Sequence, residues 1–237
     1  MYRIIKRKTA ICLKIERQWR GYGILRKRGD LLKGNFIVIE GADGTGKSTV
    51  AEGLYHYYKE KGLDIVHTRE PGGPKISEAI REILLSNDNH EMHPRTEALL
   101  YAASRAQHVE EVILPALRAG KMVISERYVF SSLVYQGLSR KLGVGPVEAI
   151  NDFATGGLAP DITLYLHHPE GSSFDRITDR AADRLESDED IRLSVQENYR
   201  ILANNRGDAL TWIDSTQDKG SVLKDCIHAI EKERHLR

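Results

Sequence analysis

The chain has 237 residues, 41% hydrophobic and 29% charged, with a formal net charge of +1. At about 150 residues per domain this fits one α/β domain with attachments, and it excludes wholesale disorder or a fibre. Two cysteines, Cys12 and Cys226, exclude a disulfide framework, and no apolar run reaches the roughly 18 residues of a membrane span, so a soluble, cytoplasmic protein is expected.

Residues 1–34 form a basic N-terminal extension with eleven Lys/Arg against Glu16 and Asp30, or +9, which leaves −8 for residues 35–237. Three readings of it stay open. It is a basic extension without catalytic role, an organelle transit peptide (Arg-rich and acid-poor, but lacking the usual serines), or a patch for nucleic acid or anionic membrane anchored by Trp19 and Tyr22. A body at −8 does not read as a nucleic-acid surface.

From Asn35 onward short β-rich runs alternate with helical ones. The pattern predicts strands at Phe36–Ile39 and Asp64–Thr68, with a helix over 47–61 between them that ends near Gly62. Helices follow at Lys75–Leu85 and Pro94–Ala119, then a strand at Met122–Ser125. Helices near 130–138 and 145–156 precede a strand at Ile162–Leu166. A charged helical stretch, a strand at Leu210–Asp214 and a last helix complete the chain. Strands alternating with helices predict an α/β fold with a central parallel five-stranded sheet flanked by helices.

Between the first strand and first helix lies Gly41-Ala42-Asp43-Gly44-Thr45-Gly46-Lys47-Ser48, followed by Thr49; it matches G-x-x-x-x-G-K-[ST] in the context that the motif requires. The glycines let backbone N–H groups face a phosphate, and the helix N-terminus adds a favourable field for an anion. Lys47 is placed to bridge β- and γ-phosphates and Ser48 to ligate Mg²⁺. The motif predicts a nucleoside triphosphate without naming the reaction. The guanine-reading N-K-x-D is missing.

Several later segments narrow the choice: Arg69-Glu-Pro-Gly-Gly73, Leu99-Leu-Tyr-Ala-Ala-Ser-Arg-Ala-Gln-His108, Glu126-Arg127-Tyr128, Ser131-Ser132-Leu-Val-Tyr135-Gln136-Gly137, Leu158-Ala-Pro-Asp-Ile-Thr-Leu-Tyr-Leu166 and Asp183-Arg184-Leu-Glu186. In this order and spacing they resemble bacterial and archaeal thymidylate kinases over roughly residues 35–230. The resemblance implies a P-loop kinase fold with a short arginine-containing lid, commonly a homodimer, that transfers a phosphoryl group from ATP to dTMP with Mg²⁺ to give dTDP.

Tyr101 and Arg105 are four residues apart and share a helix face. The resemblance implies that the ring at 101 stacks on thymine and the guanidinium at 105 contacts its O4. It also implies that Tyr135 packs against the deoxyribose and that Ser132 and Gln136 lie near the base. Arg69, Arg81 and Arg127 are expected around the acceptor phosphate, where planar guanidinium groups suit paired oxygens. Asp43, an acid inside the phosphate loop, is expected by resemblance to reach the acceptor's 3′-hydroxyl. Arg176, Arg180 and Arg184 recur every four residues as a cationic stripe able to close over the triphosphate, with Arg180 and Arg184 as candidate arginine fingers.

Three positions depart from the family pattern: Glu126 stands where Asp usually precedes Arg-Tyr, Pro74 where Thr is usual, and His167 where Asp is common. Glu126 keeps a carboxylate for the Mg²⁺ region. A Glu-Arg pair after a strand also fits deoxyribonucleoside kinases, which need a base beside a neutral hydroxyl, a role open to Glu40 or Glu126. A non-catalytic nucleotide-binding module and a nucleic-acid-stimulated ATPase are the other classes. The histidines, His90, His93 and His108 among them, read as ordinary surface or helix residues.

Overall fold

The computed structural model describes residues 32–168, 182–206 and 210–235. All but the last three residues of the basic extension, and Arg176 and Arg180 of the predicted stripe, lie outside the described residues.

The strands are β1 (Phe36–Glu40), β2 (Ile65–Arg69), β3 (Met122–Glu126), β4 (Ile162–His167) and β5 (Thr211–Asp214). They form one sheet in the order β2-β3-β1-β4-β5, with every neighbouring pair parallel. Each connection therefore crosses the sheet through helices. These are α1 (Lys47–Glu60), α2 (Lys75–Leu85), α3 (Pro94–His108), α4 (Leu114–Arg118), α5 (Val129–Ser132), α6 (Val144–Thr155), α7 (Glu189–Arg206) and α8 (Lys219–His235).

β1 is buried along its whole length because helices cover both faces. Ile37 and Ile39 point toward α1 and α8, where they meet Leu54, Tyr58, Cys226 and Ile230. Phe36 and Val38 point to the other side and pack with Ile113, Leu117, Tyr128 and Leu158. Period-two alternation thus supplies two cores from one strand.

The predicted strands and helices are present, with shifts of a residue or two at their ends. The predicted helix 94–119 is divided by a wide π turn at Val109–Ile113. Pro115 explains it: proline donates no N–H and its ring crowds the carbonyl four residues back, and a widened turn relieves both. The helix predicted near 130–138 likewise passes from α5 into a π turn at Leu133–Ser139.

β1, the central strand, has β3 on one side and β4 on the other. The chain leaves it in opposite senses, which opens a crevice at the carboxyl ends of the strands. The glycine-rich loop, the segment after β2 and the Glu126-Arg127-Tyr128 turn after β3 all emerge there.

Candidate active site

The loop between β1 and α1 wraps one cavity, lined by Asp43 through Val50 together with Arg69, Arg81, Glu126 and Arg127. Gly41 takes φ 150°, and a Cβ there would stand 2.9 Å from the carbonyl oxygen of Leu166, so only glycine lets the loop pass β4. The Lys47 ammonium donates to the carbonyls of Gly41 and Ala42 at 3.1 and 2.7 Å and lies 3.5 Å from Asp43. Burial, reinforced by the charge of Arg127, pushes its pKa down to about 8.

Beside Lys47, the Ser48 hydroxyl donates to Glu126 Oε2 at 2.5 Å. His67 Nε2 lies 2.9 Å from the other oxygen, Oε1. Burial would raise the Glu126 pKa, but the hydrogen bonds from His67 and Ser48 outweigh it and hold the carboxyl below its usual value. A hydroxyl and a carboxylate oxygen, close together at the mouth of a phosphate loop, are the hard donors that suit Mg²⁺.

A second cavity adjoins the first. Tyr101, Arg105, Ser132, Tyr135 and Gln136, which sequence spacing had set on two helical faces, all line it. Arg105 is fixed rather than free: its Nε donates to Glu70 Oε2 at 2.6 Å and its Nη1 to Ser132 at 3.0 Å and to Asn151. Its Nη2 donates to the carbonyl of Tyr128 at 3.0 Å. Gln136 is held in the cavity wall by donating to Glu97 at 2.9 Å.

Asp43, Glu70, Arg81 and Arg127 line both cavities. Arg127 follows β3 with φ 70°, a conformation costing a non-glycine residue about 1–2 kcal/mol. Its own N–H donates to the Ile39 carbonyl at 2.9 Å. Its guanidinium donates to Gly41 O at 3.1 Å, Ser131 Oγ at 3.1 Å and the Tyr199 hydroxyl at 3.0 Å, and pairs with Asp43. Tyr135 donates to the other Asp43 oxygen at 2.8 Å. Burial alone would raise the Asp43 pKa, but Arg127 and then Lys47 hold it well below the usual carboxylate range. Arg81 donates to the Pro71 carbonyl at 2.8 Å. Arg69 lies in the first cavity, paired with Glu78 at 3.1 Å.

Arg184, expected on a helical stripe with Arg176 and Arg180, sits instead in a turn ahead of α7. Both Leu185 and Glu186 donate their N–H to Asp183 Oδ1 at 3.0 Å, and this local capping competes with helix. Arg184 is thereby turned inward: its Nε donates to the Leu84 carbonyl at 2.8 Å and its Nη2 lies 2.9 Å from Glu97. Pro74 stands just before α2; there Glu78, rather than a hydroxyl at position 74, accepts the Gly73 N–H at 2.7 Å.

His108 corrects an expectation. Far from being an ordinary surface or helix residue, it is fully buried, with Nδ1 2.9 Å from Glu70 and Nε2 2.7 Å from Thr68. Glu40 is also enclosed, accepting from Tyr128 N at 2.9 Å, Ser131 Oγ at 2.6 Å and Tyr199 Oη at 3.0 Å. It lines neither of the two cavities that adjoin at Arg127, and its oxygens are engaged by Tyr128, Ser131 and Tyr199. Glu40, Glu97, Asn151, His108 and Tyr199 carry the site from beneath, and Glu70 holds Arg105 from the wall that the two cavities share. Sequence reasoning assigned none of them such a role, because a buried acid and a surface acid look alike in a sequence.

The thymidylate kinase family profile matches residues 39–226. The thymidylate kinase of Ligilactobacillus salivarius (strain UCC118) is 43% identical over 201 residues, covering 83% of this chain and 97% of that protein. Those of Finegoldia magna and Thermoanaerobacter sp. (strain X514) are 43% and 44% identical, each aligned over 85% of this chain and over 100% and 99% of their own length.

Proposed function

The chain belongs to the thymidylate kinase family, and from that premise we propose how its two adjoining cavities divide the reaction. It phosphorylates dTMP to dTDP with ATP as donor, and is a nucleoside monophosphate kinase. The glycine-rich loop, Gly41 to Thr49, takes the triphosphate on its main-chain amides. Lys47 turns from its loop carbonyls to the β- and γ-phosphates. Mg²⁺, held by Ser48 and Glu126, supplies charge neutralisation across the phosphate oxygens when bound.

The second cavity takes the acceptor. The Tyr101 ring offers a stacking face to thymine and the Arg105 guanidinium an N–H to its carbonyl, with Ser132 and Gln136 at the base edge and Tyr135 against the sugar. Asp43 accepts the 3′-hydroxyl. The attacking oxygen belongs to a phosphate monoester with a second pKa near about 6, so it needs no strong base at neutral pH. Catalysis is alignment and charge: Arg69, Arg81 and Arg127 offset the repulsion of two anions brought together. The finger role falls to Arg180. Arg184, as placed, clamps the end of α2 to Glu97 and supports the acceptor wall.

One observation carries the reading: Asp43, Glu70, Arg81 and Arg127 are common to both cavities, so donor and acceptor phosphates meet across a single wall. The test is coupled ADP release with dTMP, dUMP, dCMP, dGMP and thymidine as acceptors. Turnover on dTMP is expected. Activity confined to thymidine would reassign the chain to the nucleoside kinases.

A homodimer is part of the proposal. Ile76 and Ile83 of α2, Leu99 of α3 and Phe153 of α6 are exposed apolar side chains on helices that pack side by side, a surface of the kind a second copy covers. A cytoplasmic location is proposed as well; no helix among the described residues is long and apolar enough to cross a membrane.

A further inference from the structure

We infer that His67 is a positioning residue for Glu126, and that the two side chains act as a pair that sets where the carboxylate stands beside Ser48. The inference rests on the reading of Ser48 and Glu126 as the residues that face Mg²⁺.

In the parallel register of β2 and β3, His67 lies opposite Ile124 and Arg69 opposite Glu126. His67 and Arg69 are two residues apart and share a face of β2, so both are on the side of the sheet to which Glu126 projects. Arg69 is the nearer neighbour by register and the obvious ion-pair partner. It is engaged elsewhere, at 3.1 Å from Glu78. Glu126 instead reaches diagonally to His67, a separation that long and aromatic side chains span.

The two carboxylate oxygens have separate holders. Oε1 is 2.9 Å from His67 Nε2, and Oε2 accepts from Ser48 at 2.5 Å. An imidazole carrying a proton on Nε2 donates to Oε1 whether the ring is neutral or cationic, so the arrangement does not depend on its charge. Tyr55 of α1 borders the ring, its centroid 6.4 Å away.

The pairing answers a question raised by position 126. Glutamate has one more methylene, and one more free torsion, than aspartate. An aspartate has less freedom to restrain and a shorter reach toward His67. A glutamate needs a second point of attachment to keep its carboxylate over Ser48, and His67 provides it. Outer hydrogen bonds of this kind orient a carboxylate that faces a metal, and their loss commonly costs about 10–100-fold in metal affinity or activity.

The experiment compares wild type with His67→Ala, His67→Gln, Glu126→Asp, Glu126→Ala and the His67→Ala/Glu126→Asp double variant. Binding of ADP is measured by calorimetry with and without Mg²⁺, alongside kcat and KM for dTMP. In His67→Ala the Mg²⁺-dependent gain in ADP affinity and kcat should each fall by about tenfold, with KM for dTMP and Mg²⁺-free ADP affinity unchanged. The side-chain amide of His67→Gln can donate in place of the ring and should restore most of both. In the Glu126→Asp background, removing His67 should have little further effect. If His67→Ala leaves the Mg²⁺ dependence intact while Glu126→Ala removes it, the positioning role is overturned. Equal effects of His67→Ala in the wild-type and Glu126→Asp backgrounds overturn the pairing. If Glu126→Ala itself leaves the Mg²⁺ dependence intact, the underlying reading of Glu126 fails instead, and the inference falls with it.

Discussion

Arg105 reaches its cavity with four of its five N–H groups already engaged by Glu70, Ser132, Asn151 and the Tyr128 carbonyl. Its contribution to acceptor binding is therefore directional, and a lysine, with its charge on a single atom, does not reproduce it. Arg105→Lys should weaken dTMP binding about tenfold, the usual worth of a charge-assisted hydrogen bond, with ATP affinity unchanged when both are measured by calorimetry. Equal losses for both nucleotides would mean that the acceptor site lies elsewhere. Asp43 supports a pH prediction. Its folded-state pKa is depressed mainly by Arg127 and Lys47, so its stabilising contribution is complete above the unfolded value of about 4 and is lost as pH falls through the lower folded value. The gap in melting temperature between wild type and Asp43→Asn should accordingly narrow as pH drops below about 4. At this scale the sequence was partly legible. Tyr101, Arg105 and Arg127 stood out from spacing and resemblance, and all three line the second cavity. Glu70, Glu97 and His108 did not, because charge so rarely goes fully inside that a charged or titratable residue reads first as surface.

Tyr199 joins α7 to the strand ends. Its hydroxyl donates to Glu40 at 3.0 Å and accepts from Arg127 at 3.0 Å. Tyr199→Phe leaves both buried partners short of a hydrogen bond, at an expected cost of about 1–3 kcal/mol by chemical denaturation. A fall in kcat with little change in KM for ATP should accompany it, since the arginine it steadies is on the wall between the cavities. Local pattern could not reveal this contact, for 159 residues separate Tyr199 from Glu40. The elements themselves were readable, because buried parallel strands and amphipathic helices carry their own periodicity. The exceptions have local causes: Pro115 widens the helix before it, and Asp183 caps its own turn and draws Arg184 out of the expected four-residue stripe.

For the whole molecule, sheet order explains why motifs scattered from Gly41 to Glu186 meet in one place. β1 is central, and the loops after β1, β2 and β3 open at the same edge. The alternation of strands and helices made that α/β architecture legible, and the phosphate-loop motif located its crevice. The proposed docking face for a second copy was not legible, because exposed Ile76, Leu99 and Phe153 follow the same periodicity as core residues. Phe153→Asp should shift the protein toward a monomer in analytical ultracentrifugation while its circular dichroism stays unchanged; an unaltered dimer would place the interface on another face. The left-handed backbone at Arg127 also bears on engineering. A search for heat-tolerant variants guided by backbone geometry alone would choose glycine at position 127 and recover about 1–2 kcal/mol of strain. The same exchange would remove the cation that joins Asp43, Ser131 and Tyr199, a loss that outweighs the relief, so a selection on thermal tolerance would keep the contorted arginine and, with it, a working catalyst.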